Sequence, residues 1–484
     1  MPEEKTPDRL HYHATLAILS VAALAFSLQQ TMIVPALPTL QRDLNATTAW
    51  VTWLFTGFLL IASVTTPILG KLGDQYGKGR LLTVSLGIFF VGCVAAAFAW
   101  NIWSLIAFRC LQGFGGAVFP LSIAIINDEF PRRKVGVAVG MISAILGVGG
   151  ALGFVVSGVL LDLLSWRWIF VVGAIVVGAA AVFVERVVPE SPVKTPSRVD
   201  FTGAALLSAT LVLVLLAITE GDSWGWSSAR TIALFFGGLA LGALWVYAEL
   251  RVSEPMIDVR MLAERTVLFT NLTAVLAGFA MFGAFLLVPT LMQVPRGLPP
   301  DVASVVDYGI GATPTQTGLW LVPGALLGLV TGPLGGVLGS RFGSRIPLSL
   351  GLAIGAVGIA ALAVAHDTPW QVLVGWSILG FGIPFSFGAM AKLIVESVKA
   401  TETGVAAGMN TVMRMIGGVV GGQVGAAILT ADTIPGTHVP AESAFVTAFW
   451  ISAAAAAGGA MLGLLAHSRV TARAPSPVAL EGVD

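Results

Sequence analysis

Long apolar segments separated by short polar connectors make up almost the whole chain. The first apolar segment extends from Ala14 to about Leu37, and thirteen more follow it, each close to the roughly 20 residues that cross a bilayer. These further segments lie near 50–70, 81–99, 104–126, 135–160, 167–187, 201–219, 230–250, 266–294, 317–339, 346–365, 369–391, 404–430 and 443–466. The pattern predicts an all-α membrane protein with fourteen transmembrane helices, arranged as six, two and six.

Two polar connectors divide these segments into groups. Pro189–Asp200 follows the first six segments, and Arg251–Arg265 precedes the last six. The predicted units are a tail (1–13), a six-helix bundle (14–187), a linker with two extra helices (188–265), a second six-helix bundle (266–467) and a second tail (468–484).

The charged residues support this count and orient the chain. The chain is 56% hydrophobic and 11% charged, whereas a soluble domain is about 25% charged. Lys and Arg collect on the connectors that share a side with the N-terminus, while the opposite connectors hold Arg42, Arg167, Arg230 and Arg296. Because basic residues mark cytoplasmic loops, we expect a multi-pass plasma-membrane protein, surrounded by lipid, with both termini in the cytoplasm. The formal net charge of zero gives no reason to expect a nucleic-acid partner.

Several short sequences occur twice, once in each six-helix group. The stretch Gly70–Leu82 (GKLGDQYGKGRLL) is partly repeated at Gly336–Arg345 (GVLGSRFGSR), and GVAVGM at Gly136–Met141 returns as GVAAGM at Gly404–Met409. The offset between copies is nearly constant. This repeat predicts two related bundles side by side, with a small-molecule site between them near the bilayer midplane.

The two repeated polar stretches, the first and second hinge loops, are candidate gates at the cytoplasmic surface. The first contains Gly70, Leu72, Asp74, Gly77, Lys78 and Arg80, and the second contains Gly336, Arg341, Gly343 and Arg345. Glycine permits a tight turn, and the charges could bind a neighbouring helix end in one conformation and release it in another. The alternative is a solvated anchoring loop that only follows the charge rule.

An arginine lies inside the fourth apolar segment. Arg109, Gln112, Gly113 and Gly116 are spaced to share one helical face. An embedded arginine costs a few kcal/mol or more, so it usually faces a polar cavity. We weigh a role in transport against a structural one, in which Arg109 binds backbone carbonyls.

A second embedded arginine lies in the thirteenth segment. Asn410, Arg414, Gly417 and Gly421 share one face there. We weigh a cavity position for Arg414 and Asn410 equally with local satisfaction of the arginine by Asn410 and nearby carbonyls. Gly417 and Gly421, like Gly113 and Gly116 and like Gly149 and Gly153 of the fifth segment, are expected to let helices pack closely.

The first hinge loop resembles the signature loop between helices 2 and 3 of the major facilitator superfamily, although Gly79 stands where that signature usually has a basic residue. Arg109 and Gln112 look like the fourth-helix motif of its drug:proton antiporters, which the resemblance links to proton transfer. WRWIF at Trp166–Phe170 is similar to the start of helix 6 in the fourteen-helix branch. The resemblance implies a transporter of that multidrug-efflux-like branch.

Two departures concern energy coupling. Gln29, followed by Gln30, stands where the similar first-span motif has an acid, and Phe154 replaces the proline of the antiporter motif. Glutamine cannot carry a proton, and we find no other acid deep in a span. Proton coupling is therefore what the resemblance implies rather than what these residues support.

The resemblance implies alternating-access export of hydrophobic or amphipathic small molecules, with protons as the coupling partner. Two alternatives stay open: a facilitator that is not coupled to protons, and a membrane sensor that binds substrate without turnover. We find no catalytic triad, metal-ligand cluster or phosphate loop, so we expect no enzyme activity, metal or cofactor. We expect a monomer. The long outer loop 294–316 is either a lid or a plain exposed loop.

Overall fold

The computed structural model describes residues 9–188, 190, 200–253, 255, 259–296, 308–398, 403–434 and 439–466. The helices of the first group are α1 Arg9–Asp43, α2 Thr48–Tyr76, α3 Lys78–Ala97, α4 Ile102–Gln112, α5 Val118–Glu129, α6 Arg132–Leu163 and α7 Arg167–Val187. Next come α8 Phe201–Trp224, α9 Ala229–Glu249 and the short α10 Val259–Ala263. The last group is α11 Arg265–Met292, α12 Pro314–Phe342, α13 Arg345–Val364, α14 Pro369–Ser397, α15 Thr403–Ala431 and α16 Glu442–Leu465.

These helices confirm the predicted all-α fold and its count. Thirteen helical segments in the described part of the chain are long and apolar enough to cross a membrane. The fourteenth is α6, which is 32 residues long and is apolar over Val148–Leu163. The fourth span is made of α4 and α5 joined by a 3₁₀ turn, Gly113–Ala117.

Matching turns join matching helices in the two groups. Gly77 between α2 and α3 has φ +117°, and Gly343 between α12 and α13 has φ +80°. Only glycine adopts such angles without strain, which explains why both loop copies keep it. Asn101 before α4 and Thr368 before α14 both form capping boxes, which satisfy the free backbone N–H groups of the first turn.

The ends of the bundle are named here by these turns. The hinge end holds Gly77 and Gly343, and the far end holds the turn at Asn45 between α1 and α2. The first half (α1–α7) and the second half (α11–α16) meet mainly where α6 packs on α12 and where α2 packs on α15. The extra helix α8 packs against both α2 and α15. Both halves and the linker therefore meet in the contact among α2, α8 and α15.

Candidate functional site

A glutamine joins the two halves and the linker at the far end. Gln423 of α15 is fully buried, and its Nε2 donates to the Ala49 carbonyl at 3.2 Å and to Thr219 Oγ1 at 2.8 Å. Its Oε1 accepts from Thr56 Oγ1 at 3.4 Å. Trp53 Nε1 also donates to Thr219 Oγ1, at 2.9 Å. One amide thus binds α2, α8 and α15 together.

The contact between α6 and α12 also closes the far end. Thr315 N donates to Asp162 Oδ2 at 3.0 Å. A Cβ on Gly158 would lie 2.5 Å from the Pro314 carbonyl oxygen, so the two helix backbones nearly touch there. Gln293 follows α11 directly, and its Nε2 donates to the Pro35 carbonyl of α1 at 2.9 Å. At this end, small residues and short polar bonds join the halves.

An aromatic cluster lies beneath these far-end bonds. Phe154 of α6 is 6.0 Å from Phe285 and 6.4 Å from Trp376, measured between ring centroids. Phe55 of α2 contacts Phe282 of α11 at 5.4 Å. Phe154 is the residue that replaces the motif proline, and its side chain, which is 1% exposed, reaches across to the second half. The substitution thus adds an apolar contact between the halves.

Arg109 is enclosed within the first half. It is fully buried, its Nε donates to the Leu54 carbonyl at 2.8 Å, and its Nη1 donates to Gln112 Oε1 at 2.6 Å. Gln112 in turn donates to the Gly92 carbonyl at 3.1 Å. The guanidinium also lies 4.5 Å from the Phe58 ring centroid. These bonds tie α4 to α2 and α3.

The second half repeats one of these bonds with a different side chain. Trp376 Nε1 donates to the Leu321 carbonyl at 2.8 Å across a sequence separation of 55 residues, and the Arg109–Leu54 bond also spans 55 residues. Both donors therefore occupy the same place in the repeat. The Trp376 indole makes this backbone bond without carrying a charge. Joining the two helices at this place in the repeat therefore does not require a guanidinium.

The two glutamines of α1 differ in their surroundings. Gln29 is fully buried, and its Nε2 donates to the Ile169 carbonyl of α7 at 2.8 Å. Gly173 leaves room for it, since a Cβ there would overlap the amide. Gln30 is partly exposed. Gln29 thus packs α1 against α7 inside the first half.

The candidate residues Asn410 and Arg414 of α15 lie on the side of the helix that faces α11 and α14. Asn410 Nδ2 donates to Asn271 Oδ1 of α11 at 3.1 Å. Arg414 is partly exposed, and its guanidinium lies 4.5 Å from the Phe387 ring centroid of α14. Asn410 and Arg414 share a face, but Asn410 pairs with Asn271 rather than with the arginine.

The first hinge loop is held by residues outside it. Lys78, which is 7% exposed, bonds to Asp128 of α5 at 2.6 Å and pairs with Asp74 at 3.4 Å. The carboxylate of Glu190 accepts from Gly79 N at 3.1 Å and from Arg80 N at 3.0 Å, which caps the start of α3. Glu190 lies in the polar connector, where no motif marks it for this role.

The second hinge loop has a weaker version of the same arrangement. Ser344 Oγ donates to Glu396 Oε2 of α14 at 3.4 Å, in the positions that correspond to Lys78 and Asp128. Glu396 also pairs with Lys392 at 3.3 Å. Arg341 is exposed, and Gly70 and Gly336 have open or loosely occupied space beside them. The ion pair of the first loop is thus replaced by a hydroxyl contact.

The packing glycines lie at close helix contacts. Added Cβ atoms on Gly113 and Gly116 would lie 2.7 Å from Ile61 and Ala62 of α2. A Cβ on Gly149 would lie 2.8 Å from Ser27 Cβ of α1, and one on Gly153 would overlap Thr31. Gly417 and Gly421 touch the backbone of α11 in the same way, at Val275 and Phe279.

The outer loop contributes a buried tyrosine at the far end. The predicted lid, 294–316, includes residues 297–307, which lie outside the described residues. Tyr308 donates to the Pro440 carbonyl and is 3% exposed. Burial raises the pKa of Tyr308 well above its ordinary value, and the nearby carboxylates of Glu442 and Asp432 raise it further. The phenol therefore stays neutral and keeps its proton for this bond.

Most of the sequence matches one known protein family. It matches the profile of the Major Facilitator Superfamily over residues 19–422 and again over 302–482. The chain belongs to the Major Facilitator Superfamily. The match confirms the family resemblance carried by the first hinge loop and the fourth-helix motif. Together with the apolar helices, it shows that the chain is a multi-pass membrane protein.

Curated superfamily relatives include drug exporters. The chain is 26% identical to the tetracenomycin C resistance and export protein of Streptomyces glaucescens, covering 84% of this chain and 74% of the relative. It is 27% identical to the multidrug resistance protein B homolog of Mycobacterium tuberculosis (88% and 78%) and 27% identical to the multidrug transporter protein MdtP of Bacillus subtilis (85% and 74%).

Solved superfamily structures show the same fold. A point mutant of the nucleoside transporter NupG aligns with a TM-score of 0.65 at 14% identity, covering 93% of this chain and 99% of that chain. An auto-inhibited peptide transporter of the POT family aligns with a TM-score of 0.64 at 16% identity, covering 93% and 96%.

Proposed function

We propose that this protein is a secondary transporter that exports hydrophobic or amphipathic small molecules across the plasma membrane by alternating access. The bundles at 14–187 and 266–467 are the two moving bodies, and 188–265 is the linker between them. Parallel six-helix repeats with a substrate site at their interface are typical of this mode of transport. The similarity to drug-exporting relatives supports the substrate class and the direction.

The far-end contact is the observation that carries this proposal. Gln423, the Asp162–Thr315 bond and the Phe154 cluster all join the halves at one end of the bundle. If the basic loops lie in the cytoplasm, the far end is the outer end and this conformation opens inward. Rocking of the halves would break the far-end bonds and bring the hinge loops together.

The first hinge loop has an acid available for the second conformation. The Asp74 side chain is 46% exposed and pairs with Lys78 at 3.4 Å, whereas the shorter bond of Lys78, at 2.6 Å, is to Asp128. We infer that Asp74 binds a neighbouring helix end when the hinge end closes and releases it when that end opens. Ser340 stands at the corresponding position of the second loop, so only the first loop supplies an acid.

A facilitator that is not coupled to protons is the second candidate, and it has its own observation. Every Asp and Glu within the described helices lies within five residues of a helix end. Gln29, where the resemblance expects an acid, is bonded to the backbone of α7. Proton antiport through a carboxylate would therefore need one that lies away from the middle of the described helices.

Reconstituted vesicles test these functions against each other. We expect purified protein to move at least one dye, from a panel of lipophilic dyes that includes both anions and cations, faster than protein-free vesicles do. A final dye level that follows an imposed pH gradient would indicate antiport, and an unchanged level would indicate facilitation. Saturable binding of dye without any flux would contradict both and favour the sensor.

A further inference from the structure

Arg414 differs from Arg109 in its partners within the described part of the chain. Its guanidinium has no hydrogen bond or ion pair among the described residues, and it lies 4.5 Å from the Phe387 ring centroid. Arg109, in contrast, donates to Leu54 and Gln112 and is fully buried. A guanidinium carries five N–H donors, so those of Arg414 remain free to bind something that is not part of the described chain.

The position of Arg414 directs these donors into the protein. Arg414 lies eleven residues after the start of α15, about 17 Å along the helix axis at 1.5 Å per residue. Asn410, one turn earlier on the same face, bonds to Asn271 of α11, and Phe387 belongs to α14. The guanidinium therefore lies on the side of α15 that faces α11 and α14.

No acid in the described helices balances this charge. Their Asp and Glu residues lie near the helix ends, where water is close. An unneutralised cation in the membrane interior is costly unless it faces water or a ligand. An anion that approaches this side of α15 would be attracted to Arg414, and a cation of the same shape would be repelled.

The shape of the subsite narrows the ligand further. The guanidinium is planar and presents two parallel N–H groups that match a carboxylate. Phe387 lies beneath it and offers an apolar surface to the rest of the molecule. The combination fits a carboxylate attached to a flat apolar group.

We propose that Arg414 binds the anionic group of the transported molecule, so that the substrates of this protein are amphipathic organic anions, carboxylates above all. This inference rests on the proposed transport function, because the bound anion is a substrate only if the protein transports it. The binding site itself can be tested without flux.

A pair of fluorescent probes of similar shape and opposite charge provides the test. Anthracene-9-carboxylate and (anthracen-9-ylmethyl)trimethylammonium would be titrated into detergent-purified protein and followed by probe fluorescence. We expect the wild-type protein to bind the carboxylate about tenfold or more tightly than the cation, because a charge-assisted hydrogen bond strengthens binding by about that factor.

Variants assign the preference to one side chain. Arg414→Gln should lose the preference for the carboxylate, and Arg414→Lys should keep part of it, because lysine retains the charge without the planar fork. Arg230→Gln, which removes an exposed arginine at the start of α9, should bind both probes as the wild type does. The lysine variant keeps the test valid if the glutamine variant does not fold.

Two results would overturn the proposal. One is that wild-type protein binds both probes equally or binds neither. The other is that the Arg414 variants bind the carboxylate as tightly as the wild type. Absence of flux for every dye of the panel, anionic dyes included, with the probe preference intact would contradict the transport function and leave the anion site standing.

Discussion

Replacing Gly417 with alanine is expected to destabilise the protein more than any other single methyl addition in α15. A Cβ at this position would overlap the Val275 carbonyl oxygen and lie 2.7 Å from the Val275 carbonyl carbon. Backbone atoms cannot rotate away as a side chain can, so α11 and α15 must separate. Overpacking of this kind costs about 1–3 kcal/mol, and more when the backbone is involved.

Gly408 provides a matched control on the same helix. No atom lies within 4 Å of a Cβ built there, so Gly408→Ala should leave stability unchanged or raise it slightly, because alanine is the better helix former. The measurement is the melting temperature of purified protein together with its monodisperse fraction. Equal melting temperatures for the two variants would show that the contact between α11 and α15 is looser than described here.

Replacing Arg109 with alanine is expected to abolish transport and to lower stability as well. The change leaves Gln112 Oε1 without its donor and removes the link from α4 to Leu54. A buried polar group left unpaired costs about 1–3 kcal/mol, to which the void adds. Melting temperature and initial flux per folded protein would be measured in parallel.

Trp376→Phe removes the backbone bond that corresponds to the Arg109–Leu54 bond, and it changes no charge. It keeps an aromatic ring and removes the N–H that donates to Leu321, so we expect the free energy of unfolding to fall by about 1 kcal/mol and transport to continue.

An unchanged melting temperature in Arg109→Ala would contradict the structural role of Arg109. Normal flux from that variant would remove Arg109 from the transport mechanism.

Much of the fold could be read from the sequence because the membrane imposes it. A span in lipid must be apolar and about 20 residues long, so hydropathy and basic loops predict fourteen helices. Glycine at positive φ is required in both hinge turns, and the repeat therefore stays visible there. These are local requirements, and each leaves a mark on a short stretch of chain.

The partners of the embedded residues could not be read in this way. Spacing puts Arg109 and Gln112 on one face, but it does not say that this face meets α2 and α3. The same holds for Gln423, whose bond to Thr219 depends on the docking of α8. Glu190 reaches the start of α3 across 111 residues of sequence. Such contacts depend on helix packing, which the apolar pattern does not encode.

The boundaries of the moving bodies and the roles of the site residues stay predictions that depend on one claim. That claim is that the far-end contact opens and closes during each transport cycle. Thr315 N lies 3.0 Å from Asp162 Oδ2 across this contact, so cysteines placed at these two positions can be linked by a short bis-methanethiosulfonate reagent. Each thiol displaces methanesulfinate and forms a disulfide with the linker, which a reducing agent later cleaves. The natural cysteines, Cys93 and Cys110, are free and would first be replaced with alanine.

The decisive measurement is dye flux into and out of vesicles before linking, after linking and after reduction of the link. We expect the link to stop transport, reduction to restore it, and the two single-cysteine variants to transport normally after the same treatment. Undiminished flux through a protein whose far end is covalently closed would contradict alternating access between these two halves.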